Sequence, residues 1–239
     1  MKYCSMRTIA SVTCFLIWVC VPAGRSEEIN TVGTVILLEG KADLSSFVSG
    51  ERFSIDESTG ILIGHKIRTD KKTLLDIALN DGSMISLKES TAVYFYYLKT
   101  GRNDPPSKFK MDFGKIRMNQ DKTFPDKNLE IITPAAVVSV VMADFSLVAA
   151  DYATLVLVHR GRVGLASSSP RVKEAYVGTE GEEVLVPRDG PPILLGKVRK
   201  KFREKWISDH LVVDKFRRIV RKDDRGDVIN RIGEKKELW

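Results

Sequence analysis

Between Val32 and Pro187, short apolar runs alternate with polar residues at a period of two and are cut at short intervals by Gly, Asp-Gly or Asn-Asp-Gly. Such a rhythm lets an extended strand bury one side, whereas it scatters apolar groups around a helix. The clearest strands read as Thr34 to Glu39, Leu74 to Leu79, Met84 to Leu87, Thr91 to Leu98, Lys108 to Phe113, Leu129 to Thr133, Asp144 to Ala149, Thr154 to His159 and Arg162 to Ala166. In the second of these, Leu75, Ile77 and Leu79 are expected to face the core, with Asp76 and Asn80 in water. Asn80-Asp81-Gly82 supplies a hairpin turn, because Asn and Gly accept positive φ. His159-Arg160-Gly161-Arg162 reads as a similar reversal. Thr100 to Ser107, with Gly101 and two prolines, reads as an exposed loop, and Asn119 to Asn128 as a second polar break.

The 239 residues provide room for one medium domain with a core of its own. Ahead of it, Lys2 and Arg7 precede an uncharged apolar run from Ile9 to Val21 that ends at Val21-Pro22-Ala23. That order reads as a signal peptide over residues 1–23, because the run is shorter than the roughly 20 residues that cross a hydrocarbon core and Pro22 ends it. An uncleaved anchor is the alternative. A lipoprotein modified at Cys20 is another, although the bulky Ile17-Trp18-Val19 before it departs from the small residues such processing favours. Cys4, Cys14 and Cys20 all fall in the leader. Cleavage after Ala23 would therefore leave a chain with no thiol, which excludes disulfides, cysteine nucleophiles and thiolate metal sites.

Charge is unevenly placed. Residues 196–225 hold twelve Lys/Arg against five Asp/Glu, while residues 24–195 hold 21 against 23. After Pro191-Pro192 the period changes as well: Leu195, Val198, Phe202, Trp206, Val213, Phe216 and Val220 recur at helical spacings with one longer gap. This predicts a basic amphipathic helical tail over residues 193–222, open to a break at Ser208-Asp209, and a polar extension over 223–239. Lys197, Arg199, Lys200, Lys201, Arg203, Arg217, Arg218 and Arg221 are its candidate interaction residues. Such a helix can lie on an anionic membrane surface, meet an acidic partner, or dock on its own domain. Nucleic acid is not expected as a partner, since export removes the chain from it and no base-reading motif accompanies the charge.

Four groups of residues resemble the FecR domain family. They are Gly33-Thr34-Val35 with Glu39-Gly40-Lys41-Ala42; Gly64-His65-Lys66-Ile67-Arg68-Thr69 followed by Leu75 to Ser83; Phe113-Gly114-Lys115-Ile116-Arg117; and Ile131-Ile132-Thr133-Pro134-Ala135-Ala136-Val137 leading to Leu155 to Gly161 and Val163. The residues that carry the motif are Gly64, Ile67, Thr69, Asp81, Gly82, Ser83, Thr133, Pro134 and Gly161. The resemblance spans residues 30–187 and departs at Val141-Met142-Ala143-Asp144-Phe145, where the family usually places Arg-Gly-Thr before a Phe. It covers the periplasmic module without the anti-sigma or secretin/TonB-type regions. It implies a mainly β fold, a twisted solenoid-like or sandwich-like stack of short strands, in an exported protein of the periplasm or cell envelope.

Chemistry finds little support in the residue pattern. His65, His159 and His210 lack ligand spacing, so no metal is expected. Asp81-Gly82-Ser83 is better explained as turn residues than as an acid beside a nucleophile. Asp76 with Asp81, and Asp144 with Asp151, are ordinary outward acids, and no phosphate-binding glycine loop appears. No enzyme and no cofactor are expected. Tyr94 and Tyr96 share one face of an aromatic strand while Phe95 and Tyr97 share the other, so one pair is core and the other a candidate contact surface. The partners expected are a periplasmic or envelope protein, or peptidoglycan, in sensing, signalling or scaffolding. The alternative is a structural protein held at the membrane surface by its basic tail.

Overall fold

The computed structural model describes residues 31–46, 49–98, 106–120 and 128–198. The leader, and the tail beyond Val198, lie outside these residues.

Among the described residues every element is a strand, and fifteen strands hydrogen-bond into one continuous sheet. They are β1 (Thr31–Glu39), β2 (Ala42–Ser46), β3 (Arg52–Ser54), β4 (Gly60–Leu62), β5 (His65–Thr69), β6 (Leu74–Leu79), β7 (Met84–Leu87) and β8 (Ala92–Tyr97). They continue with β9 (Ser107–Asn119), β10 (Asn128–Ile132), β11 (Ala136–Ala150), β12 (Ala153–Ser167), β13 (Ala175–Thr179), β14 (Glu182–Pro187) and β15 (Ile193–Lys197).

The long strands β9, β11 and β12 fold this sheet into two layers, because each changes partners midway. The first half of β9 pairs with β8 and β10, and its second half with β7 and β11. Following those pairings, one layer runs β3-β2-β5-β8-β9-β10-β11-β12-β13 and the other β4-β1-β6-β7-β9-β11-β12-β14-β15. One apolar core lies between them, with Ile67, Phe95, Phe109, Ile131, Val138 and Val163 from the first layer meeting Leu75, Ile77, Ile116, Phe145, Val156 and Val184 from the second. The sheet is not closed into a barrel, since β3, β13, β4 and β15 end its layers.

Passing from one layer to the other requires a corner, and the corners are where the alternation slips by one residue. Phe109 and Met111 face the core before the corner and Ile116 and Met118 after it; the same slip separates Val138 and Val140 from Ala143 and Phe145, and Val156 and Val158 from Val163 and Leu165. The three corners hold Gly114 at φ 112°, Met142 at φ 51° and Gly161 at φ 87°. The expected reversal at Gly161 is therefore corrected. β12 runs through it, paired to β11 on both sides (Asp144 with Arg160, Val141 with Arg162), and the glycine supplies a bend.

Met142, at φ 51°, occupies a left-handed conformation that costs a side-chain-bearing residue roughly 1–2 kcal/mol. It is also partly exposed and gives up little packing. Met142→Gly is expected to raise stability by about 1 kcal/mol after the entropy of the added glycine is deducted, seen as a higher urea midpoint. A lower midpoint would mean that the corner relies on the methionine side chain.

Threonines hold the backbone at the corners and turns. The Thr91 Oγ1 accepts from the Lys115 N–H at 2.9 Å, its N–H donates to Thr69 Oγ1 at 2.9 Å, and the Thr69 hydroxyl donates to the Lys88 carbonyl at 2.6 Å. Thr133 accepts from the Ala136 N–H at 2.8 Å and lies 2.6 Å from Thr154 Oγ1. Backbone groups left over where a strand turns are thus paired by buried hydroxyls, which removes the penalty of an unpaired buried polar group.

Two further expectations need correcting. Ile193–Lys197, the expected first turn of the tail helix, is strand β15 on the open edge of β14, with Ile193 opposite Leu185 and Lys197 opposite Glu182. Edge pairing satisfies its backbone, and Gly196 at φ 140° suits a bulge rather than a helix. Asp76 is only half-exposed, and its Oδ1 is buried without a hydrogen-bond partner among the described residues. By contrast Leu75, Ile77 and Leu79 are in the core, and exposed Asn80 donates to the Thr31 carbonyl at 2.7 Å.

Candidate functional site

The motif residues serve the corners and turns. Gly64, at φ 83°, turns the chain from β4 into β5 and donates its N–H to the Phe95 carbonyl at 2.8 Å. Beside it the Leu62 N–H donates to His65 Nδ1 at 3.1 Å, and burial lowers the pKa of that imidazole, favouring the neutral, accepting form. Ile67 is core. In the β6–β7 hairpin Asp81 Oδ1 accepts from the Ser83 N–H at 2.8 Å, and Gly82, at φ 82°, donates to the Leu79 carbonyl at 2.9 Å. The Pro134 carbonyl accepts from the Ser168 hydroxyl at 2.7 Å. Backbone geometry accounts for the glycines and Asp81 here without any chemistry.

The outer face of the first layer is different in character. β8 lies between β5 and β9, with Tyr94 opposite Lys66 on one side and Lys110 on the other. Phe95 points inward, fully buried, and meets Phe109 edge-on with ring centroids 4.9 Å apart. Tyr94 and Tyr96 therefore point outward, their rings stacked at 6.2 Å, and Tyr96 is 43% exposed. The register slips between Phe95 and Tyr97, so Tyr97 leaves the phase of Phe95 and is only partly buried.

Charge surrounds these rings. Lys66 Nζ donates to Tyr94 Oη at 2.7 Å and to Asp112 Oδ2 at 3.1 Å. Lys110 Nζ lies 3.5 Å from Asp112 Oδ1, and Lys108 pairs with Glu130 at 3.1 Å. Lys66 also lies 4.3 Å from the Tyr94 ring centroid, but with the hydroxyl so close the contact is chiefly a hydrogen bond rather than a cation over the ring face. Partial burial pulls the Lys66 pKa down; the Tyr94 hydroxyl and the Asp112 carboxylate outweigh it and leave the pKa above its ordinary value. The ammonium thus stays charged and holds Tyr94 in place. The result is an outward surface of two stacked phenols framed by ion pairs, suited to contact and hydrogen bonding.

Sequence reasoning had found the two tyrosines and missed Lys66, Lys108, Lys110 and Asp112. Lys108, Lys110 and Asp112 alternate with Phe109 and Met111, a period-two signal that marks them as outward. Among the described residues no group of three or more His, Cys, Asp or Glu is placed to hold a metal ion. Of the tail candidates, Lys197 ends β15. Arg199, Lys200, Lys201, Arg203, Arg217, Arg218 and Arg221 lie outside the described residues.

A model of the FecR protein family matches residues 65–164, from the β4–β5 corner past the third layer crossing. Part of this chain is a FecR-like domain. The match takes in Tyr94, Tyr96 and the lysines around them. Two crystal structures described as a candidate anti-sigma factor from Parabacteroides distasonis align with 59% of the chain, at 19% and 18% identity, each with a TM-score of 0.49. The aligned part spans 63% of those chains, less than two thirds of their length. A structure described as a cell surface anchoring domain aligns with 26% of this chain and 82% of its own, at 21% identity and a TM-score of 0.25. No curated protein matches.

Proposed function

We propose that this chain is a non-catalytic, exported envelope protein whose FecR-like domain binds a periplasmic protein or a cell-wall component in signalling or scaffolding. The observation that carries the reading is the Tyr94–Tyr96 surface inside the family match, exposed on a sheet whose motif residues are otherwise spent on corners. Support for export comes from the leader pattern over residues 1–23. Peptidoglycan suits the surface because sugar rings stack on phenols and its carboxylates can compete with Glu130 and Asp112 for the exposed ammonium groups of Lys108 and Lys110. A protein partner suits it equally, since exposed tyrosines are enriched at interfaces.

The test compares the wild-type protein with a Tyr94→Ala/Tyr96→Ala variant in two measurements, co-sedimentation with purified peptidoglycan and cross-linking in envelope extracts. Retention by the wild type in either assay, reduced several-fold in the variant, is the expected result. If neither assay retains the wild type, or the variant is retained equally well, this surface does not bind the partner.

A further inference from the structure

A second apolar cluster lies on the far side of the second layer, away from the inter-layer core. On β12, Val156 and Val158 turn into the core while Ala153, Leu155 and Leu157 turn outward to meet Val148 of β11 and Leu185 of β14. These five residues are between 0 and 3% exposed. The partly buried apolar residues packed against them, among those described, are Ala150, Tyr152, Ile193, Leu195 and Val198, all in that layer or at its strand ends. A sheet layer cannot shield its own outer face from water, so side chains this deeply buried require something laid over them.

We propose that the cover is the chain's own basic segment, residues 199–222, with Phe202 and Trp206 seated on Leu155, Leu157, Leu185 and Leu195. Continuity is the first argument. β15 leads into this face, Val198 belongs to the cluster, and its N–H donates to the Gly181 carbonyl at 2.8 Å, fixing where the next residues begin. Reach is the second. Phe202 and Trp206 follow Val198 by one and two helical turns, about 6 and 12 Å at 1.5 Å per residue. Four strands spaced about 4.8 Å apart make a patch of similar width. Pattern is the third, because positions 202, 206, 213, 216 and 220 share one side of a helix and ten of the other residues between 199 and 222 are Lys or Arg. Charge agrees: buried Glu183 stands on the same outer face, opposite Leu157 in the register, and the segment is strongly basic.

The test is fluorescence of Trp206 in the full chain with Trp18→Phe and Trp239→Phe, which leaves it the sole tryptophan. Docking predicts blue-shifted emission and several-fold weaker acrylamide quenching than an exposed indole, in the absence of lipid. Leu195→Glu, at a half-buried edge position that the core does not depend on, is expected to shift the emission to the red and restore quenching while circular dichroism keeps its strand signal. An exposed Trp206 that becomes protected only when anionic phosphatidylglycerol vesicles are added would overturn the proposal in favour of membrane attachment. A protected Trp206 indifferent to Leu195→Glu would place it elsewhere and overturn the proposal too.

Discussion

Gly114→Ala is expected to lower the stability of the domain by about 3–5 kcal/mol, a large share of the roughly 5–15 kcal/mol that holds a domain folded. Two independent costs meet at this corner. The backbone has φ 112°, a conformation that residues with a side chain rarely adopt. An added Cβ would also overlap both the side chain and the Cα of Thr91. Thr91 cannot step aside cheaply, because its hydroxyl holds the Lys115 N–H and its own N–H is held by Thr69. Moving it would leave buried polar groups unpaired. Gly64→Ala is the control: its φ is 83°, but nothing lies within 4 Å of the added carbon, so only the conformational cost of roughly 1–2 kcal/mol applies. Urea unfolding of the two variants measures the difference, and equal losses would show that Thr91 yields and the corner is not tightly packed.

This corner also shows what the amino-acid order did and did not reveal. Where pairing is local, alternation was enough: β6 and β7 occupy the residues expected for them, and their hairpin uses Asn80-Asp81-Gly82 as turn chemistry demands. A slip in alternation is ambiguous, because it marks either the end of one strand or a bend within a longer one. Gly161 was accordingly read as a reversal, and the first half of β11 went unnoticed among the clearest strands. The deciding information is the partner strand. β11 continues alongside β12 through the corner, and that pairing is a tertiary fact. The same limit applies at β15, where spacing alone favoured a helix and the open edge of β14 captured the segment as a strand. It applies at the tyrosine surface as well. The outward phase of Tyr94 and Tyr96 follows from their own strand, whereas the lysines beside them come from β5 and β9, which only the fold makes neighbours.

Phe95→Ala and Tyr96→Ala, one peptide bond apart, are expected to have opposite consequences. Phe95 has no exposed surface and packs edge-on against Phe109 between the layers, so truncation opens a cavity and should cost about 3–5 kcal/mol. Tyr96 is 43% exposed and stacks on the outward ring of Tyr94, so its truncation should stay within about 0.5 kcal/mol. An aromatic ring kept in water while its neighbour supports the core has no evident structural duty. If Tyr96→Ala leaves the urea midpoint in place and weakens retention by peptidoglycan or by an envelope partner, the ring's contribution lies in contact. A loss of stability in Tyr96→Ala as large as that in Phe95→Ala would instead make the whole strand structural and remove the basis for assigning a binding role to this face.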